Sequence, residues 1–463
     1  MAENKKSKNI EMITGDPKKA IVKLSIPMMI SMFLIMLYNL ADSIWVAGLG
    51  ADALAAVGFI TPLFMVLVGL GNGIGAGANS LIARYIGAEN HSQANNAGLH
   101  GIVLSIIVSV IFTILIEVFM VPILQFMGAG DTIQYAMDYS YVIFGFLIVF
   151  VYSGVASAIF RSEGDMRRAT IAIAVTAIMN IILDPIFIYV LNLGIAGAAW
   201  ATVFSAILSC AVMSYWIWGK KDTYLDLSFS NFHYQGRMMV DTLQVAIPST
   251  LETIVFSALA IIINSMLVAT DGTTAVAVYT ASMRIVQLAM IPLIGLGTAV
   301  LTVSGVAYGA RNPDNLKTAH SYSIKLAFII SIALGIVMFV FSSQIAALFS
   351  YTSASAEMST QIAQAISVLT LFVLAVPHGM MSAMLFQGVG KGIYSLLITL
   401  LRSLILESVF AYIYCFIFGW GVTGIYAGVV FGCFVGGTIG YIWAKLFIRS
   451  FDHQYSKKTS SSN

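Results

Sequence analysis

Short polar breaks divide this chain of 463 residues into twelve apolar runs: 20–47, 53–83, 97–121, 134–159, 168–192, 195–218, 238–269, 274–306, 318–348, 360–388, 393–418 and 422–448. Each is long enough to cross a hydrocarbon core about 30 Å thick as a helix rising about 1.5 Å per residue. A backbone in lipid has to satisfy its own hydrogen bonds, and runs of this length do so as α-helices. The expected fold is therefore an all-α membrane protein of twelve transmembrane helices. Charged residues make up 10% of the chain, against about 25% in soluble domains, and no gap is long enough for a soluble domain. The first run is too long for a signal-peptide core and is read as a retained span.

The basic residues orient these spans. Of the 23 Lys and Arg, all but Arg284 and Arg402 lie at the termini or in and beside the even-numbered gaps. The odd-numbered gaps have none. By the positive-inside rule both termini are expected to be cytoplasmic, in a multi-pass protein of the cell membrane. The basic N-terminus reads as an orientation signal and not as a nucleic-acid arm. Cys210, Cys415 and Cys433 fall inside spans without paired or metal-type spacing and read as packing residues.

The second half repeats the first. Gly71-x-Gly73-x-Gly75, followed by Ile86-Gly87-Ala88-Glu89-Asn90, returns as Leu293-x-Gly295-x-Gly297 followed by Tyr308-Gly309-Ala310-Arg311-Asn312, at an offset of 222. Ser25-Ile26-Pro27 returns as Ala246-Ile247-Pro248, and Leu183-Asp184-Pro185 as Leu406-Glu407-Ser408. Six spans per repeat gives two pseudo-symmetric six-helix bundles in one orientation, an arrangement suited to alternating access around a midplane site. The expected organisation is a cytoplasmic tail over 1–19, a bundle over 20–218, a cytoplasmic linker over 219–244, a second bundle over 238–449 and a tail over 450–463.

Polar groups inside the spans are the functional candidates, because an aspartate at the centre of a membrane helix costs about 2.5–3.5 kcal/mol. Asn180 and Asp184 sit four residues apart on one face of span 5. Pro185 removes a backbone donor and frees a carbonyl one turn earlier. Asp184 lies about 13 Å below the outer end of its span, Asp42 of span 1 about 9 Å, and Thr202 of span 6 about 10 Å, so the three share a layer. Two carboxylates, an amide and a hydroxyl form an oxygen-only set. It suits a hard monovalent cation, or a proton shared between carboxylates that repel each other; Na⁺ and H⁺ both stay open. In the second half, Glu252 reads either as a protonation site or as a partner of Arg284. Glu407 and Arg402 read as a structural ion pair, and His378 as a packed histidine or a pH sensor. No nucleophile–base pair or metal-ligand spacing is present, which argues against an enzyme; no cofactor is expected beyond the coupling ion.

Asp42, Asn180-x-x-x-Asp184-Pro185, the glycine run from Gly71 to Gly77 and its repeat resemble the multidrug and toxic compound extrusion (MATE) family, in its prokaryotic DinF-like branch. The resemblance spans about 20–449 and includes Ser25-Ile26-Pro27, Pro62, and Gly194-x-x-Gly197. It implies a V-shaped twelve-helix fold that exports amphipathic, mostly cationic small molecules in exchange for Na⁺ or H⁺, with a monomer in the lipid bilayer as the working unit. It also implies that Asp42, Asn180, Asp184 and Thr202, with the backbone near Ala198, bind the cation, and that span 1 bends or shifts near Pro27. Other branches use an acid pair in spans 7 and 10. Glu252 fits the first, but span 10 has no acid after Gln361. A related superfamily function, flipping a lipid-linked precursor, would need a more cationic cleft than Arg284 and Arg402 supply.

Overall fold

The computed structural model describes residues 2–127, 130–347 and 358–460. The expected end of span 9 at residue 348 and the last tail residues, 461–463, lie outside them. Among the described residues every regular element is helical. Span 1 is Pro17–Ala47, span 2 Ala51–Gly87 and span 3 His91–Phe126. Span 4 is Ile133–Gly145 with Leu147–Ser162, bent by 47°. Span 5 is Met166–Pro185, continued by a wider, π-helical turn over Ile186–Val190. Span 6 is Gly194–Ser214, with a similar turn over Tyr215–Gly219. Spans 7 and 8 run together as Gly236–Gly309, broken at Asp271 and Gly272. Span 9 is Pro313–Val340, and span 10 is Ser359–Ala375 with Pro377–Gly388, bent by 42°. Span 11 is Gly392–Ile417 and span 12 Gly421–Ser460. With Gly236–Gly309 counted as two, the described residues hold the twelve spans expected. Large apolar side chains such as Val118, Ile261 and Ile336 stay exposed, as lipid-facing groups do.

The two bends have different causes. Pro377 removes a backbone donor in span 10. Span 4 has no proline at its bend; the Thr113 hydroxyl donates to the Phe144 carbonyl at 3.0 Å, inserting a side chain into the helical ladder. The repeated Gly-Ala-x-Asn motif is a helix-to-helix turn: Glu89 and Arg311 take left-handed φ of 54° and 53°. The following Asn90 and Asn312 then cap spans 3 and 9 by accepting from the Gln93 and Asn315 amides.

The chain divides into two units, Met1–Gly15 with Pro27–Thr250, and Asp16–Ile26 with Leu251–Asn463. Spans 1 and 7 therefore each contribute to both, changing at Pro27 and just after Pro248. In the first unit the glycine run is a packing device. A Cβ on Gly154 of span 4 would lie 2.7 Å from the Gly71 carbonyl oxygen, and one on Gly73 would lie 2.6 Å from the Ala246 oxygen of span 7. Small residues thus bring span 2 against spans 4 and 7 at backbone distance, the packing mode that works without a hydrophobic drive between helices in lipid.

The expected tail and linker are both docked on this unit. A helix over Ala2–Thr14 buries Ile13 and packs on Gly164, whose φ is +77°. Residues 220–235 form a strap, not a free connector. Buried Glu163 accepts the amides of Tyr224 and Leu225 at 3.1 and 3.0 Å. Asn96 donates to the His233 carbonyl and accepts its amide. Asp222 pairs with Arg168 at 2.6 Å. His233 and Lys220 thus flank an anchored segment that hydropathy alone reads as solvated.

Candidate cation site

Span 5 brings Asn180 and Asp184 to the interior on one helical face, where they are 1% and 0% exposed. The Asn180 amide nitrogen donates to Asp184 Oδ1 and to Thr202 Oγ1, each at 3.2 Å. The Thr202 hydroxyl in turn donates to the Ala198 carbonyl at 3.0 Å. Four of the expected residues therefore form one hydrogen-bonded chain across spans 5 and 6.

That chain uses every hydrogen available to it. The Asn180 amide has two N–H groups and Thr202 one O–H, and all three are committed. Asn180 Oδ1, Asp184 Oδ2 and Asp42 Oδ1 are then left as buried oxygens with no donor. Buried polar atoms are nearly always paired, and three orphaned acceptors of the same kind are suited to a positive guest. Asp42 lies within electrostatic reach of Asp184.

Span 1 is held to span 5 just beyond the site: the Tyr189 hydroxyl donates to the Trp45 carbonyl at 2.6 Å and the two rings meet edge to face. Below the site, a cavity of about 190 Å³ is lined by Tyr38, Asn72, Arg161, Thr176, Asn180 and Thr202 among others, large enough for several waters. Tyr139 of span 4 lies within reach of both Asp42 and Asp184. Sequence reasoning passed over both tyrosines. Tyr38 is one turn before Asp42 and its facing was available from helical spacing; Tyr139 had no such signal.

Span 1 runs through Pro27 as a continuous helix. The Pro27 carbonyl accepts from the Ser31 and Thr170 hydroxyls at 2.9 and 3.0 Å, which ties this point of span 1 to span 5.

The second unit closes one of two alternatives and corrects one expectation. Glu252 does not pair with Arg284, which is exposed. It accepts instead from Ser395 Oγ at 2.6 Å and from Gln387 Nε2 at 3.2–3.3 Å. Neutral donors from spans 10 and 11 reach it first, and Gln387 is the residue the sequence reading missed. Nor do Arg402 and Glu407 form an ion pair among the described residues. Their segment is wound as a π-helix, Leu400–Glu407, and Arg402 turns to the Cys433 thiol at 3.8 Å, while Glu407 Oε1 stays buried without a donor. His378 is packed: its Nε2 lies 3.2 Å from Thr438 Oγ1 and 3.3 Å from the Phe434 carbonyl, with Phe328 stacked on its ring.

Known proteins resemble this architecture along most of its length. The family model MatE matches residues 27–186 and 248–413. A FAD transporter from Shewanella oneidensis is 27% identical over 340 residues, 72% of this chain and 74% of that protein. The multidrug export protein MepA of Staphylococcus haemolyticus is 27% identical over 379 residues, 80% of this chain and 79% of that protein. Among solved structures, a MOP superfamily transporter from Pyrococcus furiosus is 39% identical, covers 96% of this chain and 99% of its own, and superposes with a TM-score of 0.93.

Proposed function

This chain belongs to the MatE family of multi-pass membrane transporters, and we propose that it exports amphipathic, mostly cationic compounds in exchange for a cation bound at Asp42, Asn180, Asp184 and Thr202. The observation that carries this is the set of three buried oxygens left without donors, Asp42 Oδ1, Asn180 Oδ1 and Asp184 Oδ2. A single proton satisfies one donor–acceptor pair, whereas an ion accepts several oxygens at once, so the count favours Na⁺ as the coupling ion.

The carboxylates repel when the site is empty. A cation between them removes that repulsion and draws span 1 toward span 5, with the Tyr189–Trp45 bond as the outer anchor. Span 1 also contributes residues 16–26 to the second unit, so its shift is passed on along the helix. Export then needs cation and drug to prefer different conformations, a coupling free energy between two ligands. The basic gaps support an orientation with both termini in the cytoplasm.

The test is efflux of a fluorescent cationic dye from proteoliposomes under an imposed Na⁺ gradient and, separately, a pH gradient. Wild type is expected to respond to Na⁺, and Asp42→Asn to lose the response while staying folded. Full gradient-driven export by Asp42→Asn would refute the site. A response to the pH gradient alone would make the ion a proton.

A further inference from the structure

Away from the cation site, the second unit has a cavity of about 200 Å³ at the start of span 9 and the end of span 12. It is lined by both signs of charge: Lys317, Lys445 and Arg449 with Asp314 and Asp452, and by Ser321. Lys317 follows Asp314 by one turn of span 9, a spacing that normally lets such residues pair. Even so, Lys317 and Arg449 have neither an ion-pair nor a hydrogen-bond partner among the described residues. The Lys445 ammonium rests over the Tyr441 ring, 4.6 Å from its centroid. Span 9 also starts here, capped by Asn312, so its helix dipole adds partial positive charge on the same side.

The surroundings say where a ligand would come from. On span 12, Ile442 and Leu446 flank Lys445 and are 51% and 56% exposed, a surface that acyl chains cover in a bilayer. The cavity lies at the end of the unit that carries Arg311, Lys317 and Lys325, the basic end of the spans. Basic pockets between spans at that level bind lipid headgroups.

We propose that this cavity binds a phospholipid headgroup of the phosphoethanolamine type, with the phosphate on Lys317, Lys445 and Arg449 and the primary ammonium at Asp314. The mixed charge selects the headgroup. An anionic glycerol headgroup leaves the carboxylates facing a phosphate. A choline headgroup brings a trimethylammonium that cannot donate to them.

Native mass spectrometry of the full chain, released from detergent with equimolar dioleoyl phosphatidylethanolamine, phosphatidylglycerol and phosphatidylcholine, reads the preference directly. Phosphatidylethanolamine adducts are expected to dominate. The double variant Lys317→Gln/Arg449→Gln is expected to weaken them by about fivefold for each charge removed. Asp314→Asn is expected to weaken phosphatidylethanolamine and leave phosphatidylglycerol unchanged, a pattern that a folding defect would not give. Lys391→Gln, a basic residue elsewhere in the unit, is the control and should change nothing. Equal or better retention of phosphatidylglycerol, or phosphatidylethanolamine adducts indifferent to the double variant, would overturn the proposal. So would displacement of the lipid by millimolar soluble O-phosphoethanolamine, which would make the site one for a free zwitterion.

Discussion

Tyr189 donates its hydroxyl to the backbone carbonyl of Trp45 at 2.6 Å, tying the C-terminal end of span 5 to the C-terminal end of span 1. Asp42 is one turn before Trp45, and Asp184 is one turn before Tyr189. The bond therefore ties together the two helix segments that carry the carboxylates. Tyr189→Phe removes about 1 kcal/mol of anchoring. It is expected to raise the Na⁺ concentration for half-maximal dye efflux severalfold, with maximal efflux retained. Unchanged cation dependence would show that the two span ends are positioned without it.

Thr202 is, with Asp184, one of the two acceptors that orient the Asn180 amide, and in the proposed site it helps present Asn180 Oδ1 to the cation. Thr202→Val keeps the shape and removes the acceptor. A buried N–H left unpaired costs about 1–3 kcal/mol, and the amide is expected to rotate to recover it. Half-maximal Na⁺ should rise about tenfold, and Thr202→Ser should restore it. Cation titrations of efflux for the two variants check this.

Glu163 gives a pH dependence of stability that has nothing to do with transport. Burial raises its pKa from the ordinary 4.5 to about 7, against the lowering effect of the Leu225 and Tyr224 amides it accepts. The folded protein holds this proton more tightly than the unfolded chain. The stabilisation is complete below about pH 4.5 and is lost as pH rises through about 7. Thermal unfolding between pH 5 and 8 should show wild type losing stability as pH rises, with the slope reduced in Glu163→Gln. A parallel slope in the variant would assign the loss to other groups.

Glu252 is the remaining carboxylate with a functional claim on it, and its partners argue for a structural role. Ser395 and Gln387 donate to both of its oxygens. Glu252→Gln is expected to lower thermal stability while leaving half-maximal Na⁺ for efflux unchanged. A shifted cation dependence at normal stability would make it a second coupling site.

Much of the site was legible because carboxylates are rare inside spans. Asp42, Asn180 and Asp184 announced themselves by chemistry, and helical rise put Asp42 and Asp184 in one layer with Thr202, Asn180 lying one turn below. The residues that escaped were neutral. Tyr139 is one of 20 tyrosines, and nothing local marks it as the one beside two acids. Gln387 reaches Glu252 from the far end of span 10, a tertiary pairing with no sequence period. Charge pattern misled at Arg402 and Glu407, because a π-helical segment changes which side chains align. The docking of the linker over 220–235 was hidden because most of its anchors are backbone groups, which every sequence has. The bend of span 4 depends on one hydroxyl, Thr113, from another helix.

The central claim is that the orphaned oxygens of the first unit hold the coupling cation. Equilibrium binding of radioactive Na⁺ to purified wild type, Asp42→Asn and Asp184→Asn, with excess K⁺ present, tests it without any assumption about the exported compound. The account predicts one saturable Na⁺ per chain in wild type and its loss in both variants, each still folded by thermal unfolding. Saturable binding that survives in both variants would contradict it.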